Sequence, residues 1–205
     1  MQTLQSNVIP LFPQPVYIAV DNTLPDVLDR VEGFTYVNLA GYNGYSLGKQ
    51  TVEQDVLDRL PDLKEALMKH IEEYCFGVHG IDPEHHTLEI TCSWENCHGH
   101  LAKSNEHNHR NSMYSGIVYI KTQADSGDLV FLNNTHDVIC PTKAHTTDYN
   151  CNQWTLSPVD HMVVIFPSSL VHLVGPNMGT ELRYSIAFNI FVKGNFGNPT
   201  SLLTL

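Results

Sequence analysis

Basic residues are scarce in this chain: 11 Lys and Arg stand against 22 Asp and Glu, a formal net charge of −11 over 205 residues. The few cations are scattered singly, so the chain lacks the basic stripe that nucleic-acid backbones reward, and no nucleic-acid partner is expected. Long apolar runs are missing too. Nothing approaches the roughly 20 consecutive apolar residues of a membrane-spanning helix, so no membrane partner is expected. The first residues, Met1 to Asn7, carry neither the positive patch nor the apolar stretch of a secretory signal. Cysteine comes to five, an odd number at irregular spacing without a Cys-x-x-Cys pair. That argues for reduced thiols over a disulfide framework, and together with the plain amino terminus it predicts a cytoplasmic protein. No internal repeat, low-complexity tract or linker divides the chain.

What is present suits one core. A hydrophobic fraction of 42% and an even spread of Gly and Pro describe an ordinary globular protein. One domain over 1–205 is expected, with 1–85 supplying an extended segment and covering helices and 86–193 a β core. Residues 9–20 read as extended chain, confined to a sheet edge by three prolines. Asn22, Thr23 and Pro25 signal a short helix over 26–31 that Gly33 stops. Thr51 to Gln54 looks like a capping box opening a helix that Pro61 interrupts. A second helix follows, with Leu63, Leu67, Ile71 and Tyr74 at helical spacing, ending near Gly77. Beyond residue 85 the pattern changes to short β runs at 87–94, 115–122, 128–133, 153–156, 161–166, 170–174 and 182–192. Turn residues punctuate them, as in a sandwich or barrel.

Histidine is abundant, 12 in all, but its count decides less than its placement. Residues i and i+2 of a strand share a face, so His107 and His109 can both reach inward from one segment. His172, in the apolar run from Leu170 to Val174, can add a third imidazole from another strand. Three inward nitrogens on a β scaffold suit a transition metal, iron foremost, with positions left open for chemistry. His98 and His100 repeat the His-x-His spacing, but Gly99 and the neighbouring Asn96 and Cys97 mark that stretch as loop and as a decoy. His85, His86, His145 and His161 have no partner at ligand spacing. Cys140 or Cys151 with His136 or His145 matches no closed zinc site.

The last long strand has an informative parity. Arg183, Ser185, Ala187 and Asn189 share one face; Leu182, Tyr184, Ile186, Phe188 and Ile190 share the other. So apolar a strand is expected to be buried on both faces, and a buried Arg needs an anion or a full set of hydrogen bonds. An internal ion pair would satisfy Arg183. So would capture of a carboxylate beside the metal, with Ser185 adding a hydroxyl.

Taken in order, Leu11-Phe12-Pro13-x-Pro15-Val16-Tyr17, Trp94-Glu95-Asn96, His107-Asn108-His109, Ser115-Gly116-Ile117-Val118-Tyr119, Phe166-Pro167 with His172, and Arg183-Tyr184-Ser185 through Asn189 form a series. The series resembles the 2-oxoglutarate/Fe(II)-dependent oxygenase family, in its His-x-His variant, over most of the chain. The resemblance implies a mainly β fold with flanking helices, a double-stranded β-helix of the jelly-roll, cupin-like kind. It implies Fe(II) and 2-oxoglutarate as cofactors. His107, His109 and His172 would be the metal ligands, His109 standing where most such oxygenases carry Asp. Arg183, with Ser185, Tyr119 and Asn189, would hold the cosubstrate, while Trp94 and Asn96 would lie toward the substrate. Glu106 faces the wrong way to replace a ligand. An Fe(II)/2-oxoglutarate-dependent dioxygenase, a hydroxylase of a small molecule or a protein side chain, is the leading expectation. A three-His cupin-like metalloenzyme that ignores 2-oxoglutarate and a non-catalytic jelly-roll binding module are the alternatives. A homodimer is compatible with the sequence. The loops at 41–50, 97–106 and 133–152 carry no code for a substrate.

Overall fold

Residues 7–40, 46–133 and 141–205 are described by a computed structural model of the chain. Twelve strands occur among them: β1 (Tyr17–Val20), β2 (Tyr36–Ala40), β3 (Ser46–Thr51), β4 (His86–His98), β5 (Ser104–His107), β6 (Tyr114–Lys121), β7 (Leu129–Leu132), β8 (Gln153–Leu156), β9 (Met162–Pro167), β10 (His172–Val174), β11 (Arg183–Phe196) and β12 (Leu203–Thr204). They form two antiparallel sheets. The larger runs β1-β9-β6-β11-β4-β3-β2 with β12 on β11; the smaller runs β5-β10-β7-β8. This is the expected jelly roll.

Alternation along the strands builds two cores from the larger sheet. On β9, Val163 and Ile165 face outward to the helices, while Met162, Val164 and Phe166 face the smaller sheet. The helical layer is α1 (Leu28–Val31) and α2 (Pro61–Glu72), the latter running into a π-helical turn over Glu73–Val78. Leu63, Leu67 and Ile71 recur at the helical period and are fully buried against Ile186, Phe188 and Ile190 of β11. The second core lies between the sheets, where Tyr119, Leu129, Phe131 and Phe166 meet.

Gly116 on β6 is paired in register with Phe188 on β11. A Cβ at Gly116 would sit 2.2 Å from the Phe188 ring. Only glycine lets that ring lie flat across the neighbouring strand.

Three expectations are corrected here. Thr51 to Gln54 opens no helix. Thr51 ends β3, and its hydroxyl accepts the Glu95 amide and donates to the Glu53 carbonyl. A 3₁₀ turn over Val56–Arg59 follows. Pro61 then begins α2 instead of interrupting a helix, because at the first helical position its missing N–H costs nothing. The stretches 41–50 and 97–106 are not wholly loop: their described parts include most of β3 and most of β5. β4 runs on through His98, four residues beyond its expected end, since Glu95 and Cys97 bury on the helical side while Trp94 and Asn96 face the smaller sheet.

Candidate metal and cosubstrate site

A pocket of about 450 Å³ opens between the two sheets, and the pocket face of β11 forms its floor: Arg183, Ser185, Ala187 and Asn189 all line it. Directly opposite on β4, in register, stand His98, Asn96, Trp94 and Cys92. The expected parity holds on β11, which is buried on both faces as anticipated.

His107 ends β5 and His172 begins β10, and the two are cross-strand partners. Their rings lie 4.3 Å apart, centroid to centroid. His109 sits two residues past the end of β5, so regular strand geometry does not place it. A backbone bond from its N–H to the Ser168 carbonyl does, together with stacking of its ring between Trp94 (5.5 Å) and His172 (5.2 Å). One nitrogen from each of His107, His109 and His172 lies within 4.8 Å of the others; among the described residues this group has the makings of a metal site.

Each imidazole is fixed in one tautomer. His107 Nδ1 faces the Asn105 carbonyl at 2.7 Å, His172 Nδ1 the Leu170 carbonyl at 2.9 Å, and His109 Nδ1 the Asn189 side-chain oxygen at 2.7 Å. All three partners can only accept, so Nδ1 carries the hydrogen in each ring and the Nε2 lone pair is left for a metal. Burial, reinforced by the other two rings, lowers the His172 pKa to about 3, and burial lowers that of His109. Both stay neutral near pH 7, the form that ligates.

Asn189 therefore has a different task from the one expected. Its oxygen accepts from His109 and from the Ser115 hydroxyl (3.0 Å), and its amide donates to Cys92 Sγ (3.3 Å). With its polar atoms so engaged, it orients a candidate ligand rather than the cosubstrate.

Arg183 is 2% exposed, and no carboxylate lies within ion-pair distance of it among the described residues. Nη1 donates to the carbonyls of Ser126 (3.2 Å) and Gly127 (3.0 Å), and Nη2 to His98 Nδ1. Its Nε–H has no partner, and neither does the buried hydroxyl of Tyr119, whose ring lies 5.9 Å from the guanidinium. Burial holds the Tyr119 pKa at about 12, so the hydroxyl keeps its proton and is able to donate. A buried cation and a buried hydroxyl, each with an unpartnered donor and both on residues that line one pocket, fit a carboxylate. Among the described residues there is no internal ion pair to explain Arg183.

His98 stands apart from the histidine cluster, as expected of a decoy, but not in a loop. It is the last residue of β4, 3% exposed and in contact with Arg183. Glycine at 99 suggested a loop, and only the cross-strand register reveals the contact. Sequence reasoning also missed Leu39, Gln50 and Gln54, which line the mouth of the pocket from the amino-terminal part of the chain. Ser185, Trp94 and Asn96 lie in the pocket as expected. Cys75, Cys92, Cys97 and Cys151 are free thiols, while Cys140 and His136 lie outside the described residues.

Residues 92–189 match the model of a family described as "Putative 2OG-Fe(II) oxygenase". No curated protein matches the chain. Among solved structures, the chain is similar to SnoN, a non-heme α-ketoglutarate-dependent epimerase from nogalamycin biosynthesis (TM-score 0.61, 11% identity, 88% of this chain and 81% of that one). It is also similar to HygX from Streptomyces hygroscopicus, solved with nickel, 2-oxoglutarate and hygromycin B (0.54, 11%, 86% and 82%). A third is a 2OG-Fe(II) oxygenase-family oxidoreductase from Burkholderia pseudomallei (0.55, 11%, 80% and 77%). At these identities the structures speak for the shared double-stranded β-helix. The family match goes further, covering both the histidine cluster and Arg183: over residues 92–189 the chain is similar to the 2-oxoglutarate/Fe(II) oxygenases.

Proposed function

We propose that His107, His109 and His172 hold Fe(II), that Arg183 and Tyr119 bind the far carboxylate of 2-oxoglutarate with Ser185 beside them, and that the enzyme is a hydroxylase. The orphaned Arg183 Nε and Tyr119 hydroxyl carry the cosubstrate assignment: two buried donors with no protein acceptor, on the wall of the pocket the histidines share. The ligand assignment rests on three Nδ1–H groups anchored by acceptors. Bound there, iron and 2-oxoglutarate supply an oxidant from O2, with R–H, O2 and 2-oxoglutarate giving R–OH, succinate and CO2. This chain's residues fix the ligand tautomers, clamp the carboxylate and keep the pocket floor dry with Ala187, Ile117 and Val174. A third imidazole in place of a carboxylate leaves the bound metal one negative charge short of the usual two-His, one-carboxylate set.

The whole chain acts as one domain in this reading, because β1, β2 and β3 complete the larger sheet and α2 covers it. Its substrate is a small molecule or a protein side chain, and its setting the cytoplasm; no described helix is long and apolar enough to cross a membrane. A cupin-like enzyme indifferent to 2-oxoglutarate would leave Arg183 without an anion. Anaerobic titration of Fe(II)-loaded protein with 2-oxoglutarate tests the reading. The weak visible charge-transfer band of a keto acid on Fe(II), with matching heat, is expected; neither at millimolar 2-oxoglutarate would end it.

A further inference from the structure

We propose that His98 is a positioning residue: its neutral imidazole holds the Arg183 guanidinium without cancelling its charge, so that the cation is delivered whole to the cosubstrate carboxylate. The inference rests on Arg183 being the carboxylate-binding residue.

His98 and Arg183 are cross-strand partners in the β4–β11 ladder, and Nδ1 of the imidazole accepts from Nη2. With the carbonyls of Ser126 and Gly127 on Nη1, the described residues meet the guanidinium through uncharged acceptors alone. Had the cross-strand residue been Asp, the same atom position would offer a better acceptor. It would also neutralise the cation, and a neutralised arginine has far less to give an incoming carboxylate. Uncharged acceptors fix the fork and leave the Nε–H of this pocket-lining residue unpaired.

The imidazole is itself held. The Asn177 amide donates to the His98 carbonyl at 2.9 Å, tying down the end of β4. Gly48 on β3, at φ +81°, brings its backbone so close that a Cβ there would lie 2.5 Å from His98 Cδ2. Burial and the neighbouring guanidinium hold the His98 pKa at about 3, so the ring remains an acceptor at neutral pH. Gly48 lies outside the family-matched residues 92–189, so the amino-terminal part of the chain is recruited to the cosubstrate site.

Asn and Asp place an oxygen two bonds beyond Cβ, the topological position of His Nδ1, and are nearly the same shape; Asp brings a charge and Asn a neutral amide. His98→Asn and His98→Asp are therefore compared with wild type as Fe(II)-loaded protein, measuring 2-oxoglutarate affinity by anaerobic calorimetry, metal content, and melting temperature without 2-oxoglutarate. His98→Asn is expected to bind within about threefold of wild type. His98→Asp is expected to bind about 30-fold or more weakly, with metal content intact and melting temperature equal or higher. A merely structural role would make affinity follow melting temperature in both variants. Asp binding as tightly as wild type, or Asn losing as much as Asp, overturns the proposal. Failure of wild type itself to bind 2-oxoglutarate would overturn the reading of Arg183 beneath it.

Discussion

Replacing Asn189 with Leu should loosen the metal without touching any of the three histidines. The Asn189 oxygen is the acceptor that keeps the His109 hydrogen on Nδ1, at 2.7 Å. It is held by the Ser115 hydroxyl, which meets the Ser168 hydroxyl at 2.8 Å, while the Ser168 carbonyl takes the His109 backbone N–H. Leu at 189 is close in volume but offers no acceptor, so the ring can rotate or take the other tautomer. Loss of such an outer partner costs about 10- to 100-fold in metal affinity, or about 1.4 to 2.7 kcal/mol. A separate stability loss of about 1–3 kcal/mol is expected from the stranded Ser115 and His109 donors. Competition against a coloured chelator under anaerobic conditions measures the first, and thermal melting of the metal-free protein the second. Asn189→Asp keeps the acceptor and puts a carboxylate behind the imidazole, raising its basicity, so metal binding equal to or tighter than wild type is expected. Should Asn189→Leu bind metal as tightly as wild type while His107→Ala and His172→Ala lose it, His109 is not a ligand and the argument fails.

Arg183→Lys is not conservative, because an ammonium cannot fork across two carboxylate oxygens; calorimetry should show a loss of roughly 2–5 kcal/mol in 2-oxoglutarate binding with iron retained. His109→Asp restores the common two-His, one-carboxylate set and should retain Fe(II) in elemental analysis, whereas His109→Ala should shed it. Acid should destabilise the fold through His98 and His172, whose folded pKa values of about 3 lie below the ordinary 6.5. Their contribution is whole above pH 6.5 and lost as pH falls toward 3, up to about 5 kcal/mol each, and a melting temperature flat over that range would contradict it. Gly116→Val drives two methyl groups into the Phe188 ring and should lower stability by about 1–3 kcal/mol or more in urea titration.

Periodicity carried the sequence reading furthest where both faces of a strand are buried. On β11 the alternation of polar and apolar residues from Arg183 to Ile190 is broken only by Ala187, so the pocket floor is legible directly. It could not say which atoms those residues touch, and so Asn189 was placed on the cosubstrate when it serves His109. The strands β2 and β3 leave little trace in the sequence: β2 is only five residues long, β3 is largely polar and contains Gly48, and what defines them is the pairing of β2 with β3 and of β3 with β4. His98 was hidden by the glycine after it. His109 was rightly grouped with His107 although the strand stops between them; a contact to Ser168, distant in sequence, substitutes for the missing strand geometry.

Glu95 shows what the β4 register guards against. It lies on the helical face of β4, fully buried, with one oxygen accepting from the Tyr36 hydroxyl at 2.8 Å and the other without a partner. Burial lifts its pKa to about 8, so it folds as the neutral acid. Sliding β4 by one residue along β11 would turn it over. The carboxyl would then enter the pocket opposite Ser185, diagonal to Arg183 and free to ionise against it. Such a chain would have relieved its buried acid and its lone cation together, and would be an oxygenase scaffold with its cosubstrate seat already taken. Folding must discriminate against that locally attractive pairing, and the bulge between Asn189 and Ile190, where the ladder skips a residue of β4, is one feature that pins the productive one.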